Sequence, residues 1–155
     1  MARYFCRCMM SKFAQAVKST LDKVLVAKAQ ALGVDYVDID DLSAIRKITD
    51  TNNTAVLCHF QDLEGKPHNL HDGVASVGCR LATDPGNYSL IGMLEEVSSL
   101  FPIGVQIPVK NYSAAGVSGL LGTIIIRSNK LLSTEAMGSG NARFREITFT
   151  AYEFI

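Results

Sequence analysis

Residues 54–82 read TAVLCHFQDLEGKPHNLHDGVASVGCRLA, and the way this stretch divides decides the fold. Its first part, TAVLCHFQ from Thr54 to Gln61, is a run of β-branched, aromatic and apolar residues. Asn52 and Asn53 precede the run and DLEGKP follows it, which is the pattern of a buried strand. Its last part, GVASVGCRLA from Gly73 to Ala82, is a second strand, weakened by glycine. Together they predict a hairpin whose loop, Asp62 to Asp72, is long enough to project from the sheet.

Upstream, Ser11 is a suitable helix cap. Phe13, Val17, Leu21, Val24, Leu25 and Leu32 then recur at helical spacing, and Gly33 supplies the stop. The polar run from Gly33 to Asn53 reads as a connection across the surface, with one helical turn around Leu42 to Ile48. Downstream, Asp84-Pro85-Gly86-Asn87 opens a second helix: the acid accepts free first-turn N–H groups and Pro85 suits the first helical position. Tyr88, Ile91, Leu94, Val97 and Phe101 form its apolar stripe, and Pro102 and Gly104 close it.

VQIPV and GLLGTIIIRS read as further strands, the latter strongest from Thr123 to Arg127. Between Ser128 and Asn141 the pattern predicts a loop carrying Leu131, Leu132 and Met137, and RFREITFTAYEFI is a final extended segment. These elements predict an α+β domain over residues 11–155: a mixed or antiparallel sheet of about four to five strands packed with two amphipathic helices. Residues 1–10 read as a flexible extension. Two helices for that many strands leave part of one sheet face bare, for a partner subunit to cover.

The chain has 155 residues, 48% of them hydrophobic and 19% charged, enough apolar material for one core and too little charge for global disorder. Its 15 basic and 15 acidic side chains cancel, so no overall charge draws it to nucleic acid or an anionic membrane, and little keeps copies apart. Cys6 and Cys8 are too near the terminus to staple a core, while Cys58 and Cys79 fall inside strand patterns. That distribution is not a disulfide framework and implies a reducing compartment. Neither a signal-peptide core nor a membrane span is present in the sequence.

Candidate chemistry is sparse. His59, His68 and His71 lie near Cys58 and Cys79, but adjacent Cys58 and His59 point to opposite faces of a strand, so core and loop roles outweigh zinc ligation. Asp35, Asp38, Asp40 and Asp41 lack the glycine turn and closing glutamate of a calcium loop. Gly116, Gly119 and Gly122 precede a strand instead of a helix, with no following lysine, unlike a phosphate loop. A Cys58/His71 pair has no supporting motif, and Glu95 and Glu96 diverge on a helix too far to share a substrate. Phe144, Phe149, Tyr152 and Phe154 could stack on bases, but Glu146 and Glu153 beside Arg143 and Arg145 favour packing or subunit contact. No catalytic, cofactor-binding or metal-ligating set emerges, and the expectation is a non-enzyme.

The long first helix, TAVLCHFQ, VASVGCRLA, GNYSLIGMLEEVSSLF with its tyrosine at the start of a short helix, and the closing RFREITFTAYEF together resemble the tail terminator proteins of tailed bacteriophages. The similarity covers about two thirds of the chain and lies in patterning. The long connection from Gly33 to Asn53 and the glycine-rich stretch from Asn111 to Asn141 depart from it. The resemblance implies a structural virion protein in the tail or neck. It would form a homo-oligomeric ring, hexameric in the family, that caps the tail tube and joins it to a head-completion protein. DNA would pass through non-specifically and no cofactor or membrane would take part. Residues expected to contact the neighbouring subunit or tail tube are Leu131, Leu132, Met137, Phe149, Tyr152 and Phe154. The alternatives are another phage connector (a head-completion or tail tube protein), a small metal-dependent hydrolase using the hairpin histidines, and a monomeric cytosolic adaptor.

Overall fold

The structure is a computed structural model and describes residues 11–41, 53–82, 89–112, 116–132 and 142–154. In chain order the elements are α1 (Lys12–Leu32), β1 (Asp35–Asp38), β2 (Ala55–Lys66), β3 (Leu70–Arg80), α2 (Leu90–Ser98), β4 (Gln106–Val109), β5 (Gly122–Leu131) and β6 (Ala142–Glu153). All the strands belong to one six-stranded sheet in the order β1-β2-β3-β6-β5-β4. Only β1 and β2 run parallel; every other pair is antiparallel. The fold is α+β with two helices on a mixed sheet, one strand more than the pattern suggests.

The first helix forms where expected because both its ends are chemically specified. Ser11 Oγ accepts the Ala14 N–H at 3.1 Å. At the other end Gly33 adopts φ 71°, its N–H reaches Gln30 O at 3.1 Å, and the Val34 N–H reaches Ala29 O at 3.0 Å, which satisfies the orphan carbonyls of the last turn. Phe13, Val17, Leu21 and Leu25 form the buried stripe. Ser19 and Thr20 are buried too, and their hydroxyls approach Lys110 O at 3.2 and 3.0 Å, joining the helix to the chain just beyond β4.

The connection after Gly33 contains an unexpected strand, β1. Four residues, DYVD, are too short and polar for a periodicity signal. Packing stabilises them: Val37 is buried, and Lys18 Nζ on α1 contacts Asp38 at 2.6 Å and Asp22 at 3.1 Å, while the Tyr36 hydroxyl donates to Asp22. The expected turn at residues 42–48 lies outside the described residues.

The predicted 62–72 loop is instead a continuation of both hairpin strands. Pairing extends to Lys66 opposite Leu70, and the turn is made by His68 (φ 64°) and Asn69 (φ 60°). Its side chains are polar because that end of the arm is exposed, yet its backbone is satisfied, since β3 pairs with β6 as far as Leu70 opposite Tyr152. The loop expected after Ser128 also starts late, because β5 runs on to Leu131.

The second helix starts later than Asp84 would place it. Ser89 is extended (φ −114°, ψ 147°) and its Oγ accepts the Gly92 N–H at 3.0 Å, so Ser89 is the cap and Leu90 the first helical residue. Asp84 to Tyr88 lie outside the described residues. Met93, Leu94, Val97 and the following Phe101 are buried, while Ile91, assigned to the inner stripe from sequence, is 70% exposed.

Cross-strand partners share a sheet face, so the register shows what each face carries. Val56, Cys58, Ala75, Val77, Ile124, Ile126, Ile147 and Phe149 face the helices and form the main core with α1, Val97 and Phe101. The opposite face holds a smaller cluster of Val37, Ala55, Leu57, Ala142 and Phe144 before turning polar at Ser76, Glu146 and Thr148. Among the described residues no helix packs there.

Two glycines of β3 lie under aromatic rings. Gly73 pairs with Phe149 and Gly78 with Phe144, on opposite faces. A Cβ at Gly73 would fall 2.1 Å from the Phe149 ring; at Gly78 it would fall 2.0 Å from Arg143 O. Gly73→Ala and Gly78→Ala should each lower the unfolding free energy by about 2–3 kcal/mol. Gly119→Ala, where an added methyl meets open space, should change it by less than about 0.5 kcal/mol. Urea denaturation of the three variants checks this.

Candidate interaction site

A polar constellation organised by Asn129 sits where α2 crosses the end of β5 and the start of β6. Its Nδ2 donates to Phe101 O at 3.0 Å and lies 3.1 and 3.3 Å from Ser98 Oγ and O, the latter also accepting the Phe101 N–H at 3.0 Å, so it ties the strand to the turn that follows the helix. Its Oδ1 accepts from Arg145 Nε, and its backbone carbonyl accepts from Arg145 Nη2 at 3.1 Å. One side chain thus joins helix, strand and guanidinium.

Beside this junction runs a groove of about 420 Å3. Ile91, Leu94, Glu95, Ser98 and Ser99 form its helical wall, and Leu131, Arg143 and Arg145 its sheet side. Arg143 Nε is buried and has no hydrogen-bond partner among the described residues. Such a donor costs on the order of 1–3 kcal/mol unless something fills its place. Ile91 (70% exposed) and Leu131 (53% exposed) border the groove. An apolar rim over a cationic floor suits a carboxylate carried on a greasy segment.

A second exposed apolar cluster lies at the other end of the same two strands. Phe154 and Leu120 are each 52% exposed, and the Phe154 N–H donates to Leu121 O at 2.8 Å. Next to them Glu153 Oε1 lies 3.2 Å from His71 Nε2.

Of the residues singled out as chemistry, the structure brings His59 and Asp40 together and separates the three histidines from one another. His59 Nδ1 is 2.6 Å from Asp40 Oδ1, His68 is in the hairpin turn, and the His71 ring packs on Phe13 with centroids 4.8 Å apart. Cys58 is a core residue opposite Val77, so His71 stands six β3 positions away, roughly 20 Å. Among the described residues no three His, Cys, Asp or Glu side chains are grouped to hold a metal ion. Asp38 is engaged by Lys18, Asp35 by Asn53 Nδ2 at 2.8 Å, and Glu96 by Lys28 at 3.0 Å.

Of the expected contact residues, Leu131 and Phe154 are exposed. Leu132 packs on the smaller core, Tyr152 is half-buried, and Met137 lies outside the described residues. Phe149 is a correction: it is 2% exposed in the main core and covers Gly73, so it cannot meet a partner in this fold. Arg143 and Asn129 were not singled out as a site from sequence. The available signal was parity, since Arg143 and Arg145 alternate in phase with Ile147, Phe149 and Ala151 and must therefore share the helix-covered face.

No protein-family model and no curated protein matches the sequence.

Asn129→Ala should cost about 1–3 kcal/mol, because it removes the side-chain donor to Phe101 O and the acceptor of Arg145 Nε; chemical denaturation measures it. A second expectation concerns the thiols. Burial pushes Cys58 and Cys79 up from 9.0 to about 12, with Asp22 adding to the effect at Cys58. Both should resist alkylation at pH 8 in the folded chain and react once it is unfolded, as peptide mass mapping would show. Because the fold favours the neutral thiol, this stabilising contribution is complete below pH 9 and is lost as pH climbs towards 12.

Proposed function

We propose that this chain is a structural protein that assembles head to tail into a closed ring, acting as a tail terminator that caps a phage tail tube and joins it to the neck. The observation that carries the reading is the pair of unlike apolar surfaces at opposite ends of β5 and β6. Ile91 and Leu131 mark one, Leu120 and Phe154 the other. β6 has 12 residues, so the two ends are separated by roughly 35 Å. Two different surfaces on opposite ends of a rigid body favour a heterologous contact, which generates a ring when the rotation closes. The tail assignment and the sixfold stoichiometry rest on the resemblance in element order.

Native mass spectrometry and electron micrographs of the purified protein should show annular particles, of six copies on this reading. Leu131→Ser and Phe154→Ser should each weaken assembly while leaving the melting temperature nearly unchanged, since both side chains are exposed. A chain that stays single at high micromolar concentration would overturn the proposal.

A further inference from the structure

We infer that the groove beside α2 receives the Glu153–Phe154 end of the next copy, with the Glu153 carboxylate on Arg143 and the Phe154 ring between Ile91 and Leu131. This rests on the ring reading and specifies its contact.

The argument is complementarity. Two arginines less one glutamate give the groove a charge of about +1, which a single carboxylate neutralises. A guanidinium binds a carboxylate through paired N–H groups, and Arg143 has the unused donor for it. The rim needs an apolar side chain next to that carboxylate. Phe154 is 52% exposed and follows Glu153, the last residue of β6, whose 43% exposed side chain would exchange its 3.2 Å contact with His71 for the guanidinium.

Other exposed acids fit less well. Asp62, Glu64 and Asp72 lie on the hairpin arm, where the neighbouring Leu63 packs against the main core instead of standing free. Donor and acceptor also occupy the two ends of one strand, β6, in which Arg143 pairs with Cys79 and Glu153 with Gly122. A copy therefore cannot satisfy its own groove, and each copy offers one groove and one end.

The test uses charge reversal in the full-length chain. Arg143→Glu and Glu153→Arg should each raise the concentration needed for assembly by about a hundredfold. An equimolar mixture of the two variants should restore rings, with even copy numbers and alternating variants visible by native mass spectrometry. If wild-type rings form but either variant assembles like wild type, or the mixture fails to recover, this contact is wrong and the ring reading survives. If the wild-type chain never assembles, both fall. Should reversal at Arg143 unfold the chain, the neutral pair decides: Arg143→Gln and Glu153→Gln should each weaken assembly about tenfold, and the double variant no more than either. Additive losses would overturn the contact.

Discussion

Two aromatic rings seated on two glycines hold the centre of this molecule in register. Phe149 covers Gly73 on the helix side of the sheet and Phe144 covers Gly78 on the other, each where any Cβ would collide. A slip of one residue would drive both rings into side chains and turn every β6 side chain to the wrong face. β3 and β6 are the middle strands of the sheet, so this register carries through to β2 on one side and β5 on the other. It places Arg143 beneath α2 and leaves Glu153 and Phe154 at the opposite end of the same strand.

Polar contacts then fix the layers that the apolar core alone would leave free to slide. Ser19 and Thr20 join α1 to Lys110 beyond β4, Lys18 joins it to β1, and Asn129 joins α2 to β5 and Arg145. Burial raises the Tyr36 hydroxyl and the Cys58 thiol far above their usual ranges, which keeps them neutral and unreactive. In the Lys18 cluster desolvation works against the ammonium, yet hydrogen bonds and charge from Asp38 and Asp22 outweigh it and raise its pKa. These groups are spent on structure. Arg143 differs, because its buried Nε–H has no partner among the described residues.

Legibility from sequence followed how local the determinants are. The first helix could be read to the residue because Ser11 and Gly33 act within one turn of its ends. β1 could not, since its four residues gain their stability from Lys18 and from pairing with a strand across an intervening connection. The start of α2 was misplaced because Asp84-Pro85 and Ser89 are both sound opening signals, and only the extended backbone of Ser89 decides between them. The hairpin arm looked like a loop because its polar side chains report solvent exposure, whereas its backbone pairing depends on β6, some 80 residues away. The groove was hidden for a related reason. Its residues come from three separated segments, and alternation with Ile147 and Ala151 places Phe149 in the core and not at the surface.

The central claim, that the two ends of β6 are complementary and meet between copies, is tested most directly by a photo-reactive phenylalanine analogue in place of Phe154. Irradiated assemblies should yield cross-links from position 154 to α2 or to residues 129–131 of another copy, a site roughly 35 Å away within one chain. Cross-links confined to residues next to position 154 in the same chain would contradict the account.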